Sequence, residues 1–268
     1  MKGSASSTRC SRSRTSTRPD LGAPGRRREN YDRVMGPVAR YDPHAEWYED
    51  FRPALNANEV DVLRRFLGRR SGRGRCLDLG CGAGAAIPEL VDLGWTVTGV
   101  DVSEQMLDRA RARVSEAELA RAPAEALPFD DESFDALVSI WTHTDVDDFS
   151  AILREAARVL RPGAPLVYIG AHPCFVGPHS RFFGAEGVPT LLPGYLRTVW
   201  YDDGPAIRPD GLRSKVGAWH VPLGPFLQAF PDSGFQISHF EELGSSDYPY
   251  VVALRALRLT GAALKVEA

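Results

Sequence analysis

The sequence has no stretch near the roughly 20 continuous apolar residues that a membrane-spanning helix needs. Its first residues contain no apolar run of the kind that marks a secretory signal. Cysteine is scarce. The four thiols, Cys10, Cys76, Cys81 and Cys174, form no C-x-x-C pair and no Cys/His cluster with zinc spacing, so neither a disulfide framework nor a structural metal organises the fold. Free thiols fit a reducing compartment, and the expected location is the cytoplasm. There is no internal repeat, which removes solenoids and propellers.

What is present suits one large globular domain. The chain has 268 residues, 43% hydrophobic and 25% charged, enough to bury a sizeable core. Its net charge of −3 is uneven. The first 34 residues carry nine Lys/Arg against three Asp/Glu, a balance of +6, which leaves −9 for the remainder. Residues 3–18 are nearly all Ser, Thr and Arg, with no periodicity to build a core. Residues 1–34 therefore read as a disordered basic leader and 35–268 as the folded domain. A basic tail can signal nucleic acid, but the acidic body argues against a nucleic-acid cleft.

Strands and helices alternate along the folded part. Helices are expected over 43–51 and 57–67, the second capped by Asn56, with Val60, Leu63, Phe66 and Leu67 at helical spacing. Arg75–Leu79 reads as a buried strand, 85–93 as a helix and 95–101 as a second strand. Ser103 caps a helix through Met106, Leu107, Ala110 and Val114. Further strands are expected at 118–122, 134–141 and 166–170, with a helix at 149–160. This rhythm means a mostly parallel sheet covered on both faces. Residues 171–218 break it. Order then resumes with a helix near 222–230 and strands near 235–243 and 249–258.

The first strand runs into Gly80-Cys-Gly-Ala-Gly84, a turn whose glycines let backbone amides approach a ligand. Asp101 ends the next strand, 21 residues after Gly80, where a carboxylate can grip two ribose hydroxyls. Gly80, Gly82 and Ala85 also fit the dinucleotide pattern G-x-G-x-x-A, so a nicotinamide oxidoreductase is the rival reading. Asp78 weighs against it. A carboxylate there would repel a pyrophosphate and attract a ligand carrying an ammonium and a sulfonium, as S-adenosylmethionine does.

Leu77-Asp-Leu-Gly-Cys-Gly-Ala-Gly84 resembles the first motif of the class I S-adenosylmethionine methyltransferases. Val100-Asp-Val-Ser-Glu-Gln-Met106 is similar to the second, Ala124-Glu-Ala-Leu-Pro-Phe129 with Phe134-Asp135 to the third, and Arg158-Val-Leu-Arg-Pro-Gly163 to the turn before strand five. Tyr41-Asp-Pro-His-Ala-Glu-Trp-Tyr48 resembles the helix that closes over the cofactor. The resemblance runs over 41–170 and returns at 218–258. It implies a Rossmann-like, seven-stranded, mostly parallel α/β sheet with helices on both faces and an inserted lid, 171–218, after strand five. It also implies S-adenosylmethionine as cofactor, held by Tyr41, Asp78, Gly80, Gly82, Gly84, Asp101, Val102, Met106, Ala124, Glu125 and Ile140. The family commonly has Asp where this chain has Pro123, so adenine would rest on backbone near Ala124 and on packing by Val102 and Met106.

The acceptor is expected beyond the carboxyl ends of the strands. His143 after strand four, His172 after strand five and His220 near the returning helix are the candidate bases, since a neutral imidazole can take a proton from a hydroxyl. Asp145, Asp147 and Asp148 read as helix-start acids rather than metal ligands, and no metal is expected. Phe175, Phe182, Phe183, Tyr195, Trp200 and Tyr201, with Trp219 just beyond, either close over an apolar acceptor or form a satellite core. Trp141, Phe175, Phe182, Trp200 and Trp219 are the candidate apolar acceptor contacts, His179 and Arg181 the polar ones. Cys174 reads as a bystander thiol. These features point to methyl transfer to a small molecule, with a hydroxyl on an aromatic or polyketide-like metabolite of secondary metabolism as the expected acceptor. A descendant that keeps the cofactor without consuming it, as a pericyclase would, is the other alternative.

Overall fold

The structure, a computed structural model, describes residues 39–115, 117–181, 188–204, 207–208, 210–244 and 247–260. The expected leader, 1–34, and the candidate acceptor contact Phe182 lie outside the described residues.

Seven strands form the main sheet: β1 (Arg75–Leu79), β2 (Thr96–Asp101), β3 (Glu118–Arg121), β4 (Ala136–Ile140), β5 (Pro165–Ala171), β8 (Phe235–Leu243) and β9 (Val251–Arg258). Their order is β3-β2-β1-β4-β5-β9-β8. The first five pair in parallel, and β9 runs antiparallel to both β5 and β8. In-register pairs Leu79↔Val100 and Ile140↔Ile169 bring the ends of β1, β2, β4 and β5 to one edge.

Side-chain alternation explains why these apolar runs are strands. Leu77, Leu79, Leu137, Leu166 and Tyr168 enter one core, under α5 (Phe149–Val159) and α7 (Leu223–Asp232). Cys76, Val97, Val138, Val167 and Ile169 enter the other, under α2 (Ala57–Phe66) and α3 (Ile87–Asp92). A sheet buried on both faces needs this continuous hydrophobicity and parallel crossovers. In α2, Asn56 and Glu59 form a reciprocal capping box, which satisfies two otherwise orphaned amides. The buried stripe there holds Val62 rather than the expected Val60, beside Leu63 and Phe66. Helix α3 is shorter than expected because the glycine turn continues to Ala86 before Pro88 opens the helix. Ser103 caps α4 (Glu104–Arg113) through a bond from the Met106 amide.

The segment after β5 is less irregular than its composition suggests. β6 (Val199–Tyr201) pairs antiparallel with β7 (Ala218–His220), with α6 (Leu212–Val216) between them. A short α1 (Ala45–Phe51) follows a 3-10 turn, Asp42–His44, ahead of the domain core.

Candidate active site

The glycine turn sits where β1 ends. Gly80 has φ +73°, and a side-chain carbon there would lie 2.4 Å from the Thr142 methyl, so only glycine fits. The turn thereby lies against the loop that follows β4. Its amides at Gly80 and Cys81 bond the Val100 carbonyl at 2.9 and 3.0 Å. Asp101 draws the turn in: one oxygen accepts from the Gly82 amide at 2.9 Å and the other from the Ser103 amide at 2.9 Å. Asp78 is only 2% exposed, and its Oδ2 has no hydrogen-bond partner. Burial, and then the Asp101 charge, raise its pKa to about 7. An unpaired buried carboxylate of this kind calls for a cation that also donates hydrogen bonds.

A strap crosses this turn. Asp42 bonds the Ser103 hydroxyl at the start of α4. Tyr41 and Tyr48 pack on Ala45, Ala83 and Met106, above the glycines. Tyr41 also donates its hydroxyl to Asp145 Oδ2 at 2.8 Å. Val102 and Ala124 are half-buried nearby in sequence to Asp101 and β3, Ile140 is half-buried at the end of β4, and Glu125 is exposed.

The three candidate bases have different surroundings. His143 is 2% exposed, bonded through Nδ1 to the Tyr168 hydroxyl and packed among Phe149, Tyr168 and Phe226. Burial lowers its pKa to about 3. It is a core imidazole, poorly placed to exchange a proton with an acceptor. His172 uses both nitrogens: Nδ1 accepts from the Cys174 amide at 3.1 Å, so Nε2 donates to Glu242 Oε1 at 2.6 Å. It clamps the end of β5 to β8. His220 bonds through Nε2 to the Tyr195 carbonyl at 2.7 Å. A carbonyl only accepts, so Nε2 carries the proton and Nδ1 keeps a lone pair. Burial depresses the His220 pKa, with a smaller contribution from His179 and opposition from the Tyr195 bond.

The methyltransferase-domain family model matches residues 77–168, the span from β1 to β5. An S-adenosylmethionine-dependent methyltransferase structure from Mesorhizobium loti aligns over 76% of this chain and 99% of that one, with 29% identity and a TM-score of 0.64. Residues 77–168 thus carry a methyltransferase domain, and the fold around it is similar to that of S-adenosylmethionine-dependent methyltransferases. An uncharacterised methyltransferase of Mycobacterium tuberculosis is 39% identical over 112 residues, 42% of this chain and 44% of that protein. A phosphatidylethanolamine N-methyltransferase of Cereibacter sphaeroides is 38% identical over 92 residues, 32% and 45% respectively. The chain thus spans less than half the length of these curated relatives.

The cofactor of the family is S-adenosylmethionine, and the residues present fit it. Asp78 offers a bare carboxylate oxygen to an ammonium, and Asp101 retains lone pairs for ribose hydroxyls. A nicotinamide dinucleotide fits worse, because its pyrophosphate would face the Asp78 charge.

In this methyltransferase domain the loop after β4 holds more than the sequence disclosed. Trp141 has φ +64°, and its indole donates to Glu59 Oε1 at 2.8 Å, while Arg52 bonds the same oxygen at 2.6 Å and lies 5.1 Å over the indole ring. Asp145 is no helix cap. It binds Tyr41 and, at 2.6 Å, Arg213 of α6, which also bonds Thr144. Asp148 is the cap of α5, and Asp147 accepts from Arg40 and the Trp219 indole. Glu59 and Arg213 were not expected as site residues. Glu59 stands three residues after Asn56, a spacing that signals a capping box and not a site, and nothing in the sequence marks Arg213.

The insertion's aromatics divide. Trp200 lies under Arg40, 4.2 Å from its guanidinium, and meets Trp219 edge-on at 5.8 Å, so this pair ties the insertion to the strap. Phe175 packs on His172 and Tyr248. Arg181 is exposed. His179 stands 4.6 Å from His220, ring to ring. Among the described residues no group of three or more His, Cys, Asp or Glu is placed to hold a metal, and no helix is long and apolar enough to cross a membrane.

Proposed function

We propose that this methyltransferase moves a methyl group to a small organic acceptor held beneath the 171–218 insertion, and that the acceptor atom is a hydroxyl oxygen on an aromatic or polyketide-like metabolite in the cytoplasm. The buried, unpartnered oxygen of Asp78 carries the reading, because it asks for the ammonium of an amino-acid-bearing cofactor. When bound, S-adenosylmethionine supplies a methyl group on a positively charged sulfur. Asp78 and Asp101 would hold its two ends, and Tyr41 and Tyr48, packed on Ala83 and Met106, would cover it.

His220 is the proton acceptor of choice among the three histidines. Its Nδ1 lone pair is bare, while His143 is bonded in the core and His172 is clamped on both sides. His220 Nδ1 would take the proton of the acceptor hydroxyl, Nε2 being held by the Tyr195 carbonyl. The rest of the rate comes from holding the two reactants in line. Trp141, fixed by Glu59, and Phe175 would border the acceptor.

The test is mass spectrometry of a metabolite pool incubated with enzyme and methyl-labelled S-adenosylmethionine, after thermal shifts with S-adenosylhomocysteine and with NAD(P)H. A shift with the first alone and label on a hydroxyl compound is the expected result. Label on an amine would move the acceptor atom to nitrogen, which is the atom named for the Cereibacter relative. Cofactor binding without label on any compound would leave a protein that keeps the cofactor without spending it.

A further inference from the structure

Glu59 is 1% exposed, yet a capping box uses only half of its carboxylate. Oε2 serves the box by accepting from the Asn56 amide at 2.9 Å. Oε1 serves two groups from outside α2: the Arg52 guanidinium at 2.6 Å and the Trp141 indole N–H at 2.8 Å. Arg52 ends α1 and lies 5.1 Å over the Trp141 ring. A buried carboxylate needs such a cation, and Arg52 neutralises it. Neither the cap nor the charge requires the indole bond, so that bond calls for a separate account.

The account lies in the backbone of Trp141. Its amide continues the sheet by bonding the Ile169 carbonyl at 2.7 Å, and the chain then turns with φ +64°. That left-handed conformation suits glycine and is costly for a bulky side chain, so it persists only where surrounding contacts over-determine it. The turn delivers Thr142 to the end of β1. Ser139 donates its hydroxyl proton to the Leu79 carbonyl at 3.2 Å, so the Thr142 hydroxyl, 2.6 Å away, donates to Ser139. The Thr142 methyl closes on Gly80 and leaves no room for a side chain there. The Thr142 carbonyl accepts from the Asp145 amide at 2.9 Å, and Asp145 accepts from Tyr41 of the strap. One strained residue thus seats Thr142 on the glycine turn and brings Asp145 to Tyr41.

We propose that Glu59 is a positioning residue for the cofactor cleft, acting through Trp141. Its carboxylate pins the indole, and the pinned turn holds Thr142 against Gly80, the first glycine of the turn that receives the cofactor. Without the pin, Trp141 relaxes out of the left-handed region, Thr142 draws back, and the glycine turn loses the wall that fixes its shape. The cofactor must then order the turn as it binds, which costs affinity. Arg52 extends the same control to the strap, because one Glu59 oxygen holds both partners. The inference rests on the assignment of S-adenosylmethionine as cofactor and not on the nature of the acceptor.

The experiment uses the full chain with S-adenosylhomocysteine as the probe, calorimetry for affinity, and ¹H–¹⁵N spectra for the Gly80 and Gly82 amides. Trp141→Phe keeps an aromatic ring and the Arg52–Glu59 pair and removes the indole donor. It should bind about threefold to tenfold more weakly, the worth of one hydrogen bond, and should shift both glycine resonances in the ligand-free protein. Glu59→Leu should do the same, and the double variant should bind no more weakly than the weaker single one, because both cut one link. Asn56→Ala removes the other half of the capping box and is the control. It should lower the melting temperature while the affinity and the two resonances stay at their unaltered values. The role is overturned if Trp141→Phe leaves the affinity or both resonances unchanged, if the losses from Trp141→Phe and Glu59→Leu multiply, or if Asn56→Ala weakens binding as much as Trp141→Phe does. Should Glu59→Leu fail to fold, Trp141→Phe against Asn56→Ala decides alone. Failure of the unaltered protein to bind S-adenosylhomocysteine is a separate outcome, and it sinks the cofactor assignment on which the positioning role rests.

Discussion

At Asp78 one carboxylate oxygen is buried without a partner, and burial, aided by the Asp101 charge, lifts its pKa to about 7. The folded value is raised above the ordinary one. Its stabilising contribution is therefore complete at pH values below the ordinary carboxylate range and is lost as pH rises through about 7. Asp78→Asn should raise the melting temperature of the ligand-free protein at pH 8, with the gain vanishing near pH 4. The same variant should bind S-adenosylhomocysteine about tenfold to a hundredfold more weakly. Unchanged affinity by calorimetry would remove Asp78 from the cofactor site. His143 gives the opposite sign. Its pKa is lowered to about 3, so an unfolded chain binds the proton first, and stability should drain away as pH falls from about 6.5 towards 3. His143→Phe should cost about 1–3 kcal/mol at pH 7 by stranding the Tyr168 hydroxyl, yet lose less on going from pH 7 to pH 4.5 than the unaltered protein does. Urea titrations at the two pH values check both statements. These residues also show how far spacing reaches. Asp78 and Asp101 were legible because each sits at the end of a strand beside glycines. His143 and His220 were not separable, because what distinguishes them is Phe226 and Tyr195, brought in from far along the chain.

Between elements, the decisive contact is made by Asp145. It joins Tyr41 of the strap, the loop after β4, and Arg213 of α6. Burial works against the Arg213 charge, and Asp145, Tyr41 and Tyr201 together outweigh it. Removing one member of a buried pair leaves the other uncompensated, at a cost of about 3–5 kcal/mol. Arg213→Ala should lose stability on that scale in urea, whereas the double replacement Arg213→Met with Asp145→Leu should recover much of it. Equal losses in the two would mean that packing of α6, not the pair, holds the insertion. This junction was invisible in the sequence for a definite reason. Strands of three residues and a helix of five show no periodicity, so β6, α6 and β7 read together as an irregular insertion. The longer elements, β1 to β5 with α2, α4 and α5, were legible because each repeats its apolar side chains over enough residues to declare a period. The error at Val60 and Val62 is the same limit in small: a ten-residue helix fixes its buried face only to within a residue or two.

Across the whole molecule, the cofactor end and the acceptor end are physically continuous. The strap that covers the glycine turn is tied through Tyr41 and Arg40 to the loop after β4, with Arg40 donating to the Asp145 carbonyl at 3.0 Å. The same loop accepts the Trp219 amide at the Thr144 carbonyl, 2.7 Å away, one residue before His220. Arg40 also lies over Trp200. By its spacing alone Trp200 is either an acceptor contact or part of a satellite core under the insertion. The contacts argue that closing the strap settles the insertion, and that the two ligands reinforce each other. Coupling of this kind is reciprocal by thermodynamic necessity. S-adenosylhomocysteine should therefore raise the affinity for a phenolic acceptor about fivefold or more, and that acceptor should raise the affinity for S-adenosylhomocysteine by the same factor. Tyr41→Phe, which removes the bond to Asp145 and little else, should bring both factors towards one while each ligand alone still binds. Trp200→Ala should weaken the coupling in the same way, through loss of the surface on which Arg40 rests. Calorimetric cycles with both ligands measure all four affinities. Independent binding in the unaltered protein would mean that the strap closes without reference to the insertion, and that Asp145 joins them for stability alone.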